Sequence, residues 1–174
     1  MSGRLGVTSH CSALLRRLGA LGFPDAHSLM RLAIQRGCRY YEGMACGTVV
    51  DPGMEKISNE DLAIGLLHGG LEWSPAALRM GAAMLGARGN DPRRIARLAR
   101  MERCEDVVRE VARAGSRVEP ANEFWSNLLG AIPPRGSVPP GVLPHWTRFV
   151  AMTGMSREGI GVRTQWIRPG GAHG

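Results

Sequence analysis

Four times between Ser58 and Glu119 the chain places a capping residue or a proline where a helix can begin, and each start is followed by apolar residues at helical spacing. Ser58 stands three residues before Asp61, close to a capping box with Asp in place of the usual Glu or Gln. Ser74-Pro75 and Asp91-Pro92 each set a cap ahead of a proline at the first helical position, where its missing N–H costs nothing. Glu119-Pro120 reads as a fourth start. The stops are as clear: Gly69-Gly70, Gly86, Gly115 and the pair Pro133-Pro134. From Ile95 through Leu98, Met101, Cys104, Val108 and Val111 the apolar stripe drifts round the helix axis, because several steps are only three residues. That drift predicts a break near Arg103. The fold class that follows is mainly α: a bundle of four to five short helices over about residues 58–132.

Beyond the proline pair the period changes. Pro139-Pro140 and Pro144 keep the chain extended. Two segments, 148–152 and 162–168, are rich in β-branched and aromatic residues and flank a loop with glycines at 154, 159 and 161. They predict a C-terminal β-hairpin over about 147–168 that packs back on the helices, with residues 169–174 as a frayed tail.

Charge divides the chain along similar lines. Residues 54–132 carry eleven Arg and Lys against eleven Asp and Glu, residues 1–53 six Arg against three acids, and residues 133–174 five Arg against one acid. The whole net charge of +7 therefore sits on the two flanks. Three regions are expected: a basic, weakly structured appendage at 1–53, a helical core at 54–132, and a proline-rich linker, hairpin and tail at 133–174. Candidate helices at Ser12–Leu21 and Asp25–Gln35 make an ordinary helical N-terminal subdomain the alternative for the first region; the natural-looking start at Met54 makes an upstream extension another. Residues 1–24, with Arg but no acid, also match an organellar transit peptide in composition.

Several function classes find no support in the motifs. The sequence has no phosphate-binding GxxxxGK[ST], no GxSxG, no HExxH and no GxGxxG. The four cysteines form no CxxC pair and no zinc-ligand spacing. With no secretory signal they read as reduced thiols of a cytoplasmic protein, and no apolar run is long enough for a transmembrane helix. An enzyme is not the expectation, and neither a cofactor nor a metal is implied.

What remains is arginine. Lys56 is the only lysine, and Arg is the cation suited to bidentate phosphate contacts and to stacking on rings. Arg93, Arg97 and Arg100 recur at helical spacing and can track phosphates. In the C-terminal hairpin Arg148, Arg163, Trp166 and Arg168, with His145, Trp146, Phe149 and Gln165 among them, mix cations with π-faces, which suits stacked bases of a single strand or RNA loop. The opposing reading makes Trp146, Phe149 and Trp166 the cover of the helical core. Residues 60–85 have the outline of a helix-turn-helix, but the turn is long and only Arg79 could read bases. The function expected is a small non-catalytic basic module associated with RNA or DNA. The alternative is a helical protein–protein interaction module with Trp73 or Trp125 as its anchor.

Overall fold

The computed structural model describes residues 12–38, 52–71, 74–153 and 163–170, without the side chains of 151–153, 163 and 164. Among these residues the chain forms seven α-helices: α1 (Ala13–Ala20), α2 (Ala26–Gln35), α3 (Asn59–Leu67), α4 (Pro75–Leu85), α5 (Pro92–Met101), α6 (Glu105–Val118) and α7 (Glu123–Ala131). The helix number exceeds the four to five expected because α1 and α2 pack into the same bundle. Leu18, Leu29 and Leu32 are fully buried, and one apolar cluster runs from Leu14 to Trp166. Residues 12–38, expected as part of a loose appendage, are thus built into the core. Their basic look comes from Arg16, Arg17 and Arg31 on the opposite, exposed faces of α1 and α2.

Local chemistry explains most of the boundaries. Ser58 Oγ accepts from the Asp61 N–H at 3.1 Å while the Ser58 N–H donates to Asp61 Oδ2 at 3.2 Å, so the capping box closes with Asp. Asp25 and Ser28 close a second box on α2. Ser74 caps Ala77 N ahead of Pro75, and Asp91 caps Arg93 N ahead of Pro92. The break after Met101 centres on Arg103, the one described non-glycine residue with positive φ, at 57°. A left-handed residue there turns the stripe of α5 into that of α6.

Two boundaries differ from expectation. Helix α6 runs through Gly115 to Val118. A Cβ on Gly115 would lie 2.4 Å from the Trp125 ring, so this glycine is a seat for the indole and not a stop. The last helix begins at Glu123, with Asn122 Oδ1 accepting from Phe124 N at 3.1 Å. Glu119 closes α6 instead, and its carboxylate is used elsewhere.

That use is the anchorage of the C-terminal segment. A 3₁₀ turn (Trp146–Phe149) leads into β1 (Val150–Thr153), which pairs antiparallel with β2 (Arg163–Trp166) in the register Val150↔Trp166 to Thr153↔Arg163. This two-strand ladder is the described β-structure. Residues 154–162, the expected hairpin loop, lie outside the described residues, and Arg148, expected in the first strand, lies in the 3₁₀ turn. Trp166 is 1% exposed, and its indole N–H donates to Ala82 O at 3.0 Å. It meets the fully buried Trp125 edge-on at 4.9 Å between centroids. Arg168 Nε donates to Gly86 O at 2.7 Å, and its guanidinium forks onto both carboxylate oxygens of Glu119. Glu119 also accepts from the Trp125 indole and from Asn122, each at 2.9 Å. The C-terminal strap is therefore held across α4, α6 and α7 by one carboxylate and two indoles.

Candidate nucleic-acid interface

The arginines fall into two groups once their partners are known. The first group is structural. Arg36 donates to Asn59 Oδ1 at 2.8 Å, to Met54 O at 2.9 Å and to Ile57 O, holding the turn before α3. Arg109 donates to Leu129 O at 3.0 Å and to Ile132 O, covering carbonyls at the end of α7. Arg168 belongs here through Glu119. The Arg168 and Trp166 expected as nucleic-acid ligands are both turned inward, and Phe149 beside them is 3% exposed. Trp166, the last residue of β2, and Arg168, two residues beyond it, both meet the helices rather than solvent. Trp125, the proposed protein-binding anchor, is likewise fully buried; Trp73 lies outside the described residues. Arg148 is exposed, and Arg163 is described only in its backbone.

The second group points outward from α1 and α5. Two tethers place these helices side by side. At one end Glu102, which caps α5 and is 4% exposed, accepts from the Leu14 N–H at 3.0 Å and from the Ser12 hydroxyl. At the other end Arg17 of α1 and Arg94 of α5 both reach Asp61 Oδ2, at 2.7 and 3.6 Å. The start of α1 is thus tied to the end of α5 and its last turn to the beginning of α5, an antiparallel arrangement. Between them lies an open cleft of about 530 Å³, with Arg17, Asp61, Arg94, Arg97, Leu98 and Met101 in its walls.

The electrostatics of this face are one-sided. The Asp61 side chain is only 2% exposed while those of Arg17 and Arg94 are 47% and 42% exposed, so the carboxylate lies below and the guanidinium groups above. Burial works to raise the Asp61 pKa, but hydrogen bonds from Arg17 and Ser58 and the charge of Arg17 outweigh it and hold the carboxyl below its usual range. Glu102 is buried as well. Arg93, Arg97, Arg100 and Arg103 are exposed, as is Arg16 on α1, and none has a carboxylate within 4 Å among the described residues. The three arginines expected on α5 are therefore outward and unmatched. Arg17 and Arg94, which join them across the cleft, carried no sequence signal of their convergence.

Other candidate chemistry resolves into structure. His68 ends α3, is 7% exposed, and accepts the Gly70 N–H on Nδ1 at 2.8 Å; its Nε2 is 3.7 Å from Glu102. Ser12, Glu102 and His68 do not form a nucleophile–base pair, because the Ser12 hydroxyl donates to the carboxylate that stands between it and the imidazole. In the helix-turn-helix outline α3 is almost wholly buried and α4 buries Ala77, Leu78 and the run Met80–Leu85, leaving only Pro75, Ala76 and Arg79 partly or fully exposed on its first turns. Burial pushes the Cys104 thiol up to about 12, with Glu102 and Glu105 adding to it, which keeps it a protonated core thiol. Among the described residues no three His, Cys, Asp or Glu side chains could hold a metal ion, and no helix is long and apolar enough to cross a membrane.

No protein-family model matches the chain, and neither a curated protein nor a solved structure is significantly similar to it.

Proposed function

We propose that this protein is a non-catalytic module that binds the phosphate backbone of nucleic acid through the arginine face of α1 and α5. The observation that carries the reading is the pair Arg17 and Arg94, brought from two helices onto one buried carboxylate oxygen at the edge of an open cleft. Pinned guanidinium groups lose less conformational freedom on meeting a phosphate than loose ones do. Arg93, Arg97 and Arg100 extend the same face along α5 with no neighbouring carboxylate to compete for them. Such a surface recognises charge and spacing, not base sequence.

The test is the affinity for short oligonucleotides, read by fluorescence anisotropy over a salt series. Three to five phosphate contacts give a log–log slope of about −2.7 to −4.5 on duplex DNA. Replacing Arg97 and Arg100 together by Ala should flatten that slope by about 2 without changing the melting temperature. Absence of binding at low salt, or an unchanged slope in the double variant, would refute the proposal.

The second reading is a protein-interaction module, and one observation favours it. Met101 is 58% exposed beside Leu98 in the same cleft, the one large apolar side chain so exposed among the described residues. An apolar protein segment that buries Met101 would show weak salt dependence and strong sensitivity to Met101→Ser. A phosphate backbone would show the reverse.

A further inference from the structure

A second groove lies where the C-terminal end of α6 meets the 3₁₀ turn at 146–149. It encloses about 280 Å³. One wall is Trp146 with Leu143 and Pro144; the other carries Arg113 and Arg117 from α6. Of the three tryptophans in the described residues, Trp125 and Trp166 are buried, and Trp146 alone is partly exposed. The guanidinium of Arg117 stands 5.9 Å from the centre of the Trp146 ring, at the outer limit of a cation–π contact. It has no carboxylate within 4 Å among the described residues, so little holds it in place. Arg113 has only an exposed pair with Glu110 at 3.1 Å, one turn away on the same helix, a pair of small worth. His145 stands next to Trp146 at 5.5 Å between ring centroids, and its Nδ1 is 2.9 Å from Thr147 Oγ1.

We infer that this groove receives one unstacked base of a single-stranded nucleic acid, with Trp146 as the stacking platform and Arg113 and Arg117 on the flanking phosphates. The inference rests on the phosphate-binding reading above and narrows it from nucleic acid in general to single strands. Three features select this occupant. The groove's volume of about 280 Å³ lies at the small end of the roughly 300–1,000 Å³ range of ligand sites, a size that fits one ring system of a longer molecule. Its Trp146 wall offers a partly exposed aromatic ring, and an aromatic face accepts any base. Its rim carries Arg113 and Arg117 beside the single carboxylate Glu110, a net positive balance that a phosphate on either side of that base would complement. A duplex keeps its bases stacked and paired, and offers such a groove nothing unless a base is first extruded.

The experiment compares three probes of equal length at one salt concentration: a single strand, a duplex, and an abasic single strand that keeps every phosphate but has no bases. Wild-type protein should bind the single strand about tenfold more tightly than the abasic strand, and tryptophan emission should be quenched on saturation with the single strand. Trp146→Ala should remove that advantage, bringing the two probes to the same affinity, while the duplex affinity stays unchanged. Trp146→Phe, which keeps a ring, should retain most of the advantage and serves as the folded control, checked by far-UV circular dichroism. Arg117→Gln should flatten the single-strand salt slope by about 0.7. Equal wild-type affinity for the single and abasic strands, or an unchanged advantage in a folded Trp146→Ala protein, would overturn the base-stacking inference while leaving the α1–α5 reading in place. Binding to none of the three probes at low salt would overturn both.

Discussion

The Glu119–Arg168 pair predicts a pH-dependent loss of stability that can be worked from its surroundings. Glu119 and Arg168 are 18% and 13% exposed at the side chain, and the guanidinium engages both carboxylate oxygens. Burial alone would raise the Glu119 pKa. Hydrogen bonds from Arg168, Trp125 and Asn122, and the charge of Arg168, reverse that and bring it down to about 2 from an ordinary 4.5. The folded pKa lies below the unfolded one, so the contribution is complete above about pH 4.5 and is lost as pH falls towards 2. At about 1.4 kcal/mol per pH unit of displacement, reduced for partial solvent screening, the carboxylate contributes about 2–3 kcal/mol at neutral pH. Replacing Arg168 by Met should cost about 3 kcal/mol, because it strands a half-buried carboxylate and frees the strap from Gly86. The assay is urea unfolding of wild type, Glu119→Gln, Arg168→Met and the double variant between pH 7 and pH 2.5. The cycle should give a coupling of about 1–3 kcal/mol at pH 7 that fades below pH 4. A cost under 0.5 kcal/mol for Arg168→Met, or a coupling independent of pH, would refute the reasoning.

Other consequences follow from the same packing. Gly115→Ala should destabilise by about 2 kcal/mol in spite of alanine's better helix propensity, because the new methyl meets the buried Trp125 ring at 2.4 Å and that ring has nowhere to move; thermal unfolding measures it. Cys104, whose thiol is held at about 12 by burial first and by Glu102 and Glu105 next, should resist a thiol-reactive probe at pH 8 in the folded protein and react only after addition of denaturant.

The parts of this fold that sequence reveals are the ones decided within a single turn of helix. Ser58, Ser74 and Asp91 cap their helices through contacts three residues away or nearer, and the drift of the stripe near Arg103 is a property of neighbouring residues. Gly115 is different. A glycine that ends a helix and one that admits an indole look alike until Trp125 is seen against it. Glu119 before Pro120 resembles a helix start, yet its role is fixed by Arg168, 49 residues on. The same holds for the candidate site. The spacing of Arg93, Arg97 and Arg100 puts them on one face of α5 in any context, whereas the convergence of Arg17 and Arg94 depends on α1 and α5 both packing on α3, which supplies Asp61. The mixture of cations and rings around Trp166 and Arg168 was visible in the sequence, but not that both side chains turn towards the bundle. The positive charge of the first region likewise spoke for an appendage over the helices at Ser12–Leu21 and Asp25–Gln35 that bury Leu14, Leu18, Leu29 and Leu32, because composition sums over a helix whose two faces have different fates.

The division of the arginines into internal struts and an outward face proposed to bind phosphate is tested most directly by arginine-selective chemical modification. Folded protein would be treated with a dicarbonyl reagent with and without a saturating single-stranded oligonucleotide, and each arginine read by peptide mass spectrometry. Arg36, Arg109 and Arg168 should be slow to react in both states, while Arg93, Arg97 and Arg100 should react quickly in the free protein and become protected in the complex. Rapid modification of Arg168 in the free protein with protection in the complex, or undiminished reactivity along α5 when nucleic acid is bound, would contradict the account.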